Sequence, residues 1–413
     1  MMKKRALNIY LTYSFLQNAF FWMTFTVDSI YMVVTVGLDP LQLVLIGTTV
    51  ELSILLFELP TGIVADLYSR KLSIIIGIFL IGAGMILQGS WPMFVPILAA
   101  QLLWGLGYTF TSGSVQAWIS DEIGEEQANS AFVRGAQMEQ YGGFTGILVG
   151  AAFGVIALQL SIILSGIFFL ALGCFLIWRM PETNFHPHAS SGISQTAQSI
   201  IATFRSGIGM IKKRPILIRI LLIGFFFGLY SEGYDRLWVA HLLERFTFPN
   251  MPEVIWIGVI NAAGFLLSAA ALEFVKRRLY PSGTNSLVRF LAISSTALIL
   301  SLASFALSGL FSLAILFVWI IDILRNVINP LYIGWVNRKL DSKIRATVIS
   351  MAGQVDAIGQ VAGGPGVGLI ARRFSIQTGI LSTSTLLLPV LFLFAPFLLP
   401  GRSKEVPEEV KVE

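Results

Sequence analysis

Charge is what this chain has least of. Only 12% of its 413 residues are Asp, Glu, Lys or Arg, against 55% hydrophobic, and the mean hydropathy is +0.77. Soluble domains carry about 25% charged residues. This chain lacks the polar surface of a soluble enzyme, and its apolar excess excludes disorder. A single cysteine, Cys174, permits neither an intramolecular disulfide nor a cysteine-cluster metal site. Histidine is scarce too. His186 and His188 flank Pro187 in a polar stretch, and two histidines without further ligands read more plainly as linker than as metal site. His241 reads as well as an interface residue as a proton carrier. No Gly-x-x-x-x-Gly-Lys-Ser/Thr loop occurs, so ATP is not expected as the driver. No His-Glu-x-x-His motif and no Ser-His or Asp-Asp constellation points to an enzyme. The sequence therefore implies no cofactor and no metal.

Long apolar runs are abundant. A membrane helix needs about 20 mostly apolar residues, and a barrel strand about 10 of alternating polarity. The runs here are continuous, so they predict helices, twelve of them: 8–35, 41–66, 72–90, 94–120, 131–156, 159–179, 216–243, 253–275, 285–307, 311–336, 346–370 and 376–399. The first follows Met1-Met2-Lys3-Lys4-Arg5, a start like that of a signal peptide. Its apolar stretch is too long for one and carries no small-residue cleavage site, so it reads as a retained first span.

Basic residues fall on alternate loops. Lys3, Lys4, Arg5, Arg70, Lys71, Lys212, Lys213, Arg214, Lys276, Arg277, Arg278, Lys339 and Arg402 lie on one side, and Arg245, Arg372 and Arg373 on the other. By the positive-inside rule both termini are expected in the cytoplasm. Charge spread over alternate loops is no nucleic-acid footprint, so no nucleic-acid partner is expected.

The longest polar stretch follows span six. It divides the chain into a six-helix bundle at 1–180, a cytoplasmic linker at 181–215 with a candidate amphipathic helix near 195–212, a second bundle at 216–400 and a tail at 401–413. The halves look related. Val27-Asp28-Ser29-Ile30-Tyr31 in span one matches Tyr234-Asp235-Arg236-Leu237-Trp238 in span seven. Ala117-Trp118-Ile119-Ser120-Asp121-Glu122 matches Gly334-Trp335-Val336-Asn337-Arg338-Lys339. A duplicated unit of this kind encloses a transport path at its interface.

The loop between spans two and three reads Gly62-Ile63-Val64-Ala65-Asp66-Leu67-Tyr68-Ser69-Arg70-Lys71. It resembles the signature loop of the major facilitator superfamily, Gly-x-x-x-Asp followed by a basic pair, with Ser69 in place of the usual second glycine. Length, twelve spans, the six-plus-six division and the central linker extend the resemblance over the whole chain. Gly62 is expected to let two helices approach closely. Asp66 can accept from donors at the start of a neighbouring helix, where the dipole favours an anion. The resemblance implies a cytoplasmic gate in which Asp66 faces the start of span eleven near Arg345 and Arg70 pairs with Asp121. Lys71 reads as a plain topology signal.

An ionisable side chain at mid-bilayer costs roughly 2.5–3.5 kcal/mol on insertion scales. Asp28, Glu51, Glu58, Glu139, Glu232, Asp235, Arg236, Arg289, Asp322, Arg325 and Asp356 are therefore candidates for substrate or proton handling. Most are acids, and carboxylates withdrawn from water can exchange protons near neutral pH. Asp28 and Asp235, on the first span of each half, are expected at the cavity, with Glu51. Glu232 is expected to share a face with Asp235 or Arg236. Asp322 and Arg325, at i and i+3, are expected to neutralise each other. For Glu139, Arg289 and Asp356 a transport role and structural pairing stand level.

Phe20, Phe21, Trp22, Tyr31, Trp104, Tyr108, Trp118, Tyr230, Tyr234, Trp238, Trp319 and Tyr332 offer aromatic faces suited to large lipophilic or cationic solutes, although packing and interface anchoring explain many such residues. Gly146, Gly150 and Gly154 in span five mark a close-packed face. The resemblance to drug antiporters is incomplete. Span five lacks the proline that follows their glycine motif, and Gln101 stands where many carry an arginine.

The sequence thus predicts an all-α membrane protein of twelve spans in two pseudo-symmetric six-helix bundles. It is read as a monomeric secondary carrier in the plasma membrane of a bacterial-like cell, not an enzyme. Its expected partners are a small-molecule substrate, protons and the bilayer. Proton-coupled efflux of lipophilic or cationic drugs is favoured, with Ser112-Gly113-Ser114 through Glu122 and Arg345-Ala346-Thr347 resembling efflux-type members. The alternative is a carrier of a small polar nutrient or metabolite. A sugar carrier would want more Asn and Gln in its spans; Arg236, Arg289 and Arg325 leave a carboxylate carrier open. A channel would show a pore loop or rings of like charge, and a receptor on this fold an added soluble domain.

Overall fold

The structure is a computed structural model describing residues 2–185, 209, 215–279, 284–338 and 342–398. His186-Pro187-His188, most of the segment read as an amphipathic helix and the tail lie outside the described residues, as does the side chain of Arg345.

Helices α1 (Met2–Ile30), α2 (Pro40–Leu67), α3 (Arg70–Ser90), α4 (Phe94–Thr111), α5 (Ser114–Ile123), α6 (Glu125–Ile156) and α7 (Leu158–Arg179) form the first half. The second holds α8 (Pro215–Arg245), α9 (Glu253–Leu279), α10 (Thr284–Leu307), α11 (Phe311–Arg338), α12 (Ser342–Arg373), α13 (Ile376–Leu387) and α14 (Pro389–Leu398). Among the described residues there is no strand. These helices make twelve spans. Span four is α4 plus α5, parted where Gly113 takes a left-handed φ of +71°. Span twelve is α13 plus α14, parted just before Pro389, which has no N–H to continue the ladder. Span one runs on from α1 into a π-helical turn at Tyr31–Thr35.

Polar termini set the turns. Asp39 and Gln42 form a reciprocal capping box at the start of α2, with Pro40 at the first helical position. Ser69 caps α3 by accepting from Leu72 N at 2.9 Å. We call the side where α1 begins the near side, and the side of the loops at 36–39 and 246–252 the far side.

Nine of the spans are long and apolar enough to cross a membrane. The other three, α1, α6 and α12, are as long but more polar, and they pack in related pairs. Gly142, Gly146 and Gly150 of α6 lie on the backbone of Phe15, Ala19 and Met23 of α1; a methyl on Gly150 would stand 2.6 Å from the Met23 carbonyl oxygen. In the second half α12 packs on α8 in the same manner, with Gly359 and Gly363 against Phe225 and Leu229. Backbone-to-backbone contact needs small residues rather than bulky apolar ones, and α6 and α12 supply them as glycines. The halves meet where α12 lies on α2 and α9 on α6. Residues of this seam stand towards the far side: Gly368 beside Leu41, Gly154 beside Val254, and Gly258 beside Ala151.

Candidate substrate cavity

Between the halves lies a cavity of two lobes that share Ile349, Gly353, Asp356 and Gln360 of α12. The lobe against the first half, about 550 Å³, is walled by Phe21, Phe25, Glu51, Glu58, Trp104 and Tyr108. The lobe against the second half, about 750 Å³, is walled by Tyr230, Asp235, Asp322, Arg325, Asn326 and Tyr332, among others. Both volumes are of the size that encloses a small organic molecule.

Charge in the cavity is unequal in sign. Glu51, Glu58, Asp235, Asp322 and Asp356 line it, and Arg325 is the one basic residue among the described lining groups. Arg325 does not pair with Asp322 as its spacing predicts. Its guanidinium takes Asp235 of α8 in a two-pronged contact, Nη2 donating to Oδ2 at 2.7 Å and Nη1 to Oδ1. A fork-to-fork geometry needs a carboxylate presented face-on, which the facing helix supplies and a neighbour one turn away on the same helix does not. The rings of Tyr234 and Tyr230 lie 5.5 and 6.0 Å from the same guanidinium. Asp322 keeps its side chain free of ion pairs among the described residues. It rests on α9, where a Cβ on Gly264 would stand 2.9 Å from its Oδ2.

The other cavity acids have neutral partners or none. Gln360 Nε2 donates to Asp356 at 2.9 Å. Gln354 Nε2 of α12 donates across the halves to Glu58 Oε2 at 2.6 Å. Glu51 is half-buried on the wall and makes no hydrogen bond or ion pair among the described residues. A cluster of Phe21, Phe25 and Trp104 adjoins it, with centroids 5.6 to 6.1 Å apart. Trp22 reaches across the halves to Phe265.

Asp28 and Asp235 are not equivalent in place. Asp28 is buried inside the first half and lines neither lobe. It accepts from Gln88 Nε2, and Gln101 Nε2 donates to Gln88 Oε1 at 2.6 Å. Gln101 thus holds the amide that holds Asp28. Glu139 is also off the cavity, beside Tyr10 and Tyr13 between α6 and α1. Arg289 is exposed on α10.

On the far side, Glu232 is 2% exposed and accepts from Arg236 Nε at 2.9 Å, one helical turn on. This pair occupies the space that a side chain at Gly47 of α2 would fill. A Cβ on Gly364 would likewise meet Thr48 Oγ1 at 2.7 Å and Glu232 Cγ at 3.1 Å. Asp39 and Arg372 extend the seam at the surface, 3.6 Å apart.

On the near side, Arg70 contacts Asp121 and stands 3.9 Å from Asp66. Asp66 is exposed, and its expected neighbour Arg345 lies outside the described side chains. Gly62 differs from its expected close approach: among the described residues, a Cβ there meets nothing within 4 Å. Two acids outside the candidate set tie residues 181–185 beneath the first half. Glu182 accepts from Ser69 Oγ at 2.6 Å and Lys71 N at 2.9 Å, and Glu122 accepts from Thr183 N at 2.6 Å. Glu122 stands at the end of α5 and Glu182 in the polar loop after α7, and at neither place does the sequence distinguish a tether from a solvated charge.

A two-half helical bundle around a polar, aromatic-walled cavity, with the halves in contact on the far side, is the architecture of a membrane carrier. Residues 10–364 match the Major Facilitator Superfamily, and the chain belongs to that family. It is 22% identical over 368 residues to the uncharacterized MFS-type transporter YxaM of Bacillus subtilis (strain 168), covering 86% of this chain and 87% of that one. A shorter match, 22% over 282 residues and 62% of each chain, links it to the 4-hydroxybenzoate transporter PcaK of Pseudomonas aeruginosa. Among solved structures, a point mutant of the nucleoside transporter NupG superposes with a TM-score of 0.80 at 16% identity, over 97% of this chain and 100% of that one. An inward-facing, unoccupied bacterial homolog of the human lysosomal transporter Spinster gives 0.77 at 14% identity, over 96% of each. The protein is thus a multi-span membrane transporter of small molecules.

Proposed function

We propose that this carrier exports lipophilic or cationic compounds, drugs among them, in exchange for protons across the plasma membrane, as a monomer with both termini in the cytoplasm. The observation that carries the reading is the cavity's charge: five carboxylates around one arginine, beside an aromatic cluster. Carboxylates in a low-dielectric wall attract a cation when ionised and release it when protonated, and aromatic faces hold its apolar body. Glu51, Asp322 and Asp356 are the proton-handling candidates facing the substrate; Asp235 is committed to Arg325, and Glu58 to Gln354. Asp28 acts from inside the first half.

With the termini in the cytoplasm, the near side is the open, inward-facing one. Residues 1–180 and 216–400 would rock about the central cavity, joined by the linker at 181–215, with 401–413 as a cytoplasmic tail. In the opposite state Gly62, Asp66, Arg70, Asp121 and Arg345 would form the inner closure.

One observation favours a second reading, a carrier of a polar metabolite. The amides of Asn326, Asn329, Gln354 and Gln360 converge on the cavity, where they can hydrogen-bond hydroxyls or a heterocycle. The two readings separate in cells stripped of their own exporters. Resistance to several unrelated lipophilic cations on expression supports export, and altered growth on one polar nutrient with no resistance overturns it. In proteoliposomes, Glu51→Gln and Asp356→Asn should abolish uptake driven by a pH gradient while leaving substrate exchange at equal pH. Unchanged gradient-driven flux in both would remove these acids from the coupling.

A further inference from the structure

A third cavity, about 360 Å³, lies on the near side between the first turns of α1 and the last turns of α7, away from the transport path. Lys4, Arg5 and Arg179 line it together with Asn8, Thr12 and Phe175, and no carboxylate does. Several charges at that end are, by contrast, met within the protein. Arg70 has Asp121, and Glu182 and Glu122 have the donors of residues 69–71 and 183–184. Among the described residues, Lys4, Arg5 and Arg179 pair with no acid.

The carbonyl end of α7 would by itself repel an anion. Here its oxygens are taken: Arg5 Nη2 donates to the Arg179 carbonyl at 3.2 Å and Lys71 Nζ to that of Ile177 at 3.1 Å. What remains towards the cavity is net positive. Lys4, Asn8 and Thr12 follow at four-residue steps, so they form one stripe on α1, and all three are exposed. Next to them the outward face of α7 is apolar and aromatic, with Trp178 86% and Ile177 48% exposed. In a membrane transporter such a face meets acyl chains. Cations and polar groups at the end of the span, with apolar surface running down from them, match a molecule with an anionic head and hydrocarbon tails.

We propose that this cavity binds an anionic phospholipid, its phosphate on Lys4, Arg5 and Arg179, its glycerol oxygens on Asn8 and Thr12, and its chains along Phe175 and Trp178. Each basic group near a membrane surface contributes enough to change anionic-lipid affinity about fivefold.

The test uses the full chain in detergent, phosphatidylglycerol as probe and phosphatidylcholine as control, with bound lipid counted by native mass spectrometry. The wild type should retain phosphatidylglycerol selectively. Arg179→Gln should weaken that selectivity about fivefold, and Lys4→Gln/Arg5→Gln/Arg179→Gln roughly a hundredfold. Arg179→Lys, which keeps the charge, should retain most of it. Melting in phosphatidylcholine should be unchanged in all three, which separates lost binding from lost folding. Brominated-chain phosphatidylglycerol should quench tryptophan fluorescence by a component that Trp178→Phe removes. Equal phosphatidylglycerol binding by the triple variant would overturn the proposal. So would displacement of the lipid by millimolar inorganic phosphate, which would mark a site for soluble anions instead.

Discussion

Between the halves, particular glycines are used differently on the two sides of the membrane. On the far side, Gly47, Gly364 and Gly368 stand against side chains or backbone of the other half, and Gly47 admits a whole ion pair. On the near side, a Cβ on Gly62 or Gly334 would meet nothing within 4 Å among the described residues. One set of glycines is in use and the other idle. A glycine with no neighbour has no packing role in this conformation, and Gly62 heads the loop proposed above as part of the inner closure. We propose that the idle set serves the opposite state. Far-side and near-side closures would be two alternative uses of the same device, small residues that let the halves touch.

Substitution at Gly47 should have the largest effect on that contrast. Gly47→Val would displace the Glu232–Arg236 pair and disfavour the far-side closure by about 1–3 kcal/mol, roughly five- to 150-fold in population. Accessibility of a far-side cysteine to a membrane-impermeant reagent should rise accordingly, with transport lost. Gly62→Val should do the reverse. It should leave melting and far-side accessibility of the present state within about 0.5 kcal/mol of wild type, as open-surface substitutions do, yet stall transport by hindering the near-side closure. Equal effects of the two substitutions on far-side accessibility would break the comparison.

Asp235→Asn lies between these in size. It leaves Arg325 without its carboxylate in a wall where that pair is about one-third exposed. The cost is well below the 3–5 kcal/mol of a fully buried pair, and we expect about 1–2 kcal/mol. Melting should recover in Asp235→Asn/Arg325→Gln, whereas transport should not. The smallest effect is expected at Asp39→Asn. Its contact with Arg372 is exposed and should contribute about 0.2–1 kcal/mol to far-side closure, fading as salt is raised.

Much of this was legible in the residues. Continuous apolar runs give the spans, and the loop from Gly62 to Lys71 gives the family. The Glu232–Arg236 contact follows from a four-residue step on one helix, and the backbone contacts of Gly146 and Gly150 from their spacing. What escaped depends on how helices face each other. Nothing local tells Arg325 to prefer Asp235, ninety residues away, over Asp322 one turn away. Asp28 reads as a cavity acid until Gln88 and Gln101 are brought to it from two other spans. The cavity amides are few in the sequence as a whole, and folding gathers them at one place, which a count cannot reveal. Gly113 and Pro389 divide spans whose hydropathy runs on unbroken, because a backbone break needs one residue and an apolar average needs eighteen or more.

The most direct test follows both sides at once. Spin-label pairs would be placed at exposed positions, Val34 and Met251 on the far side and Tyr68 and Ile333 on the near side, in a chain with Cys174→Ser. The account predicts that the far-side distance is short and the near-side distance long in the resting protein, and that Gly47→Val lengthens the first while shortening the second. A far-side distance that Gly47→Val leaves unchanged, or one that grows without the near side closing, would contradict it.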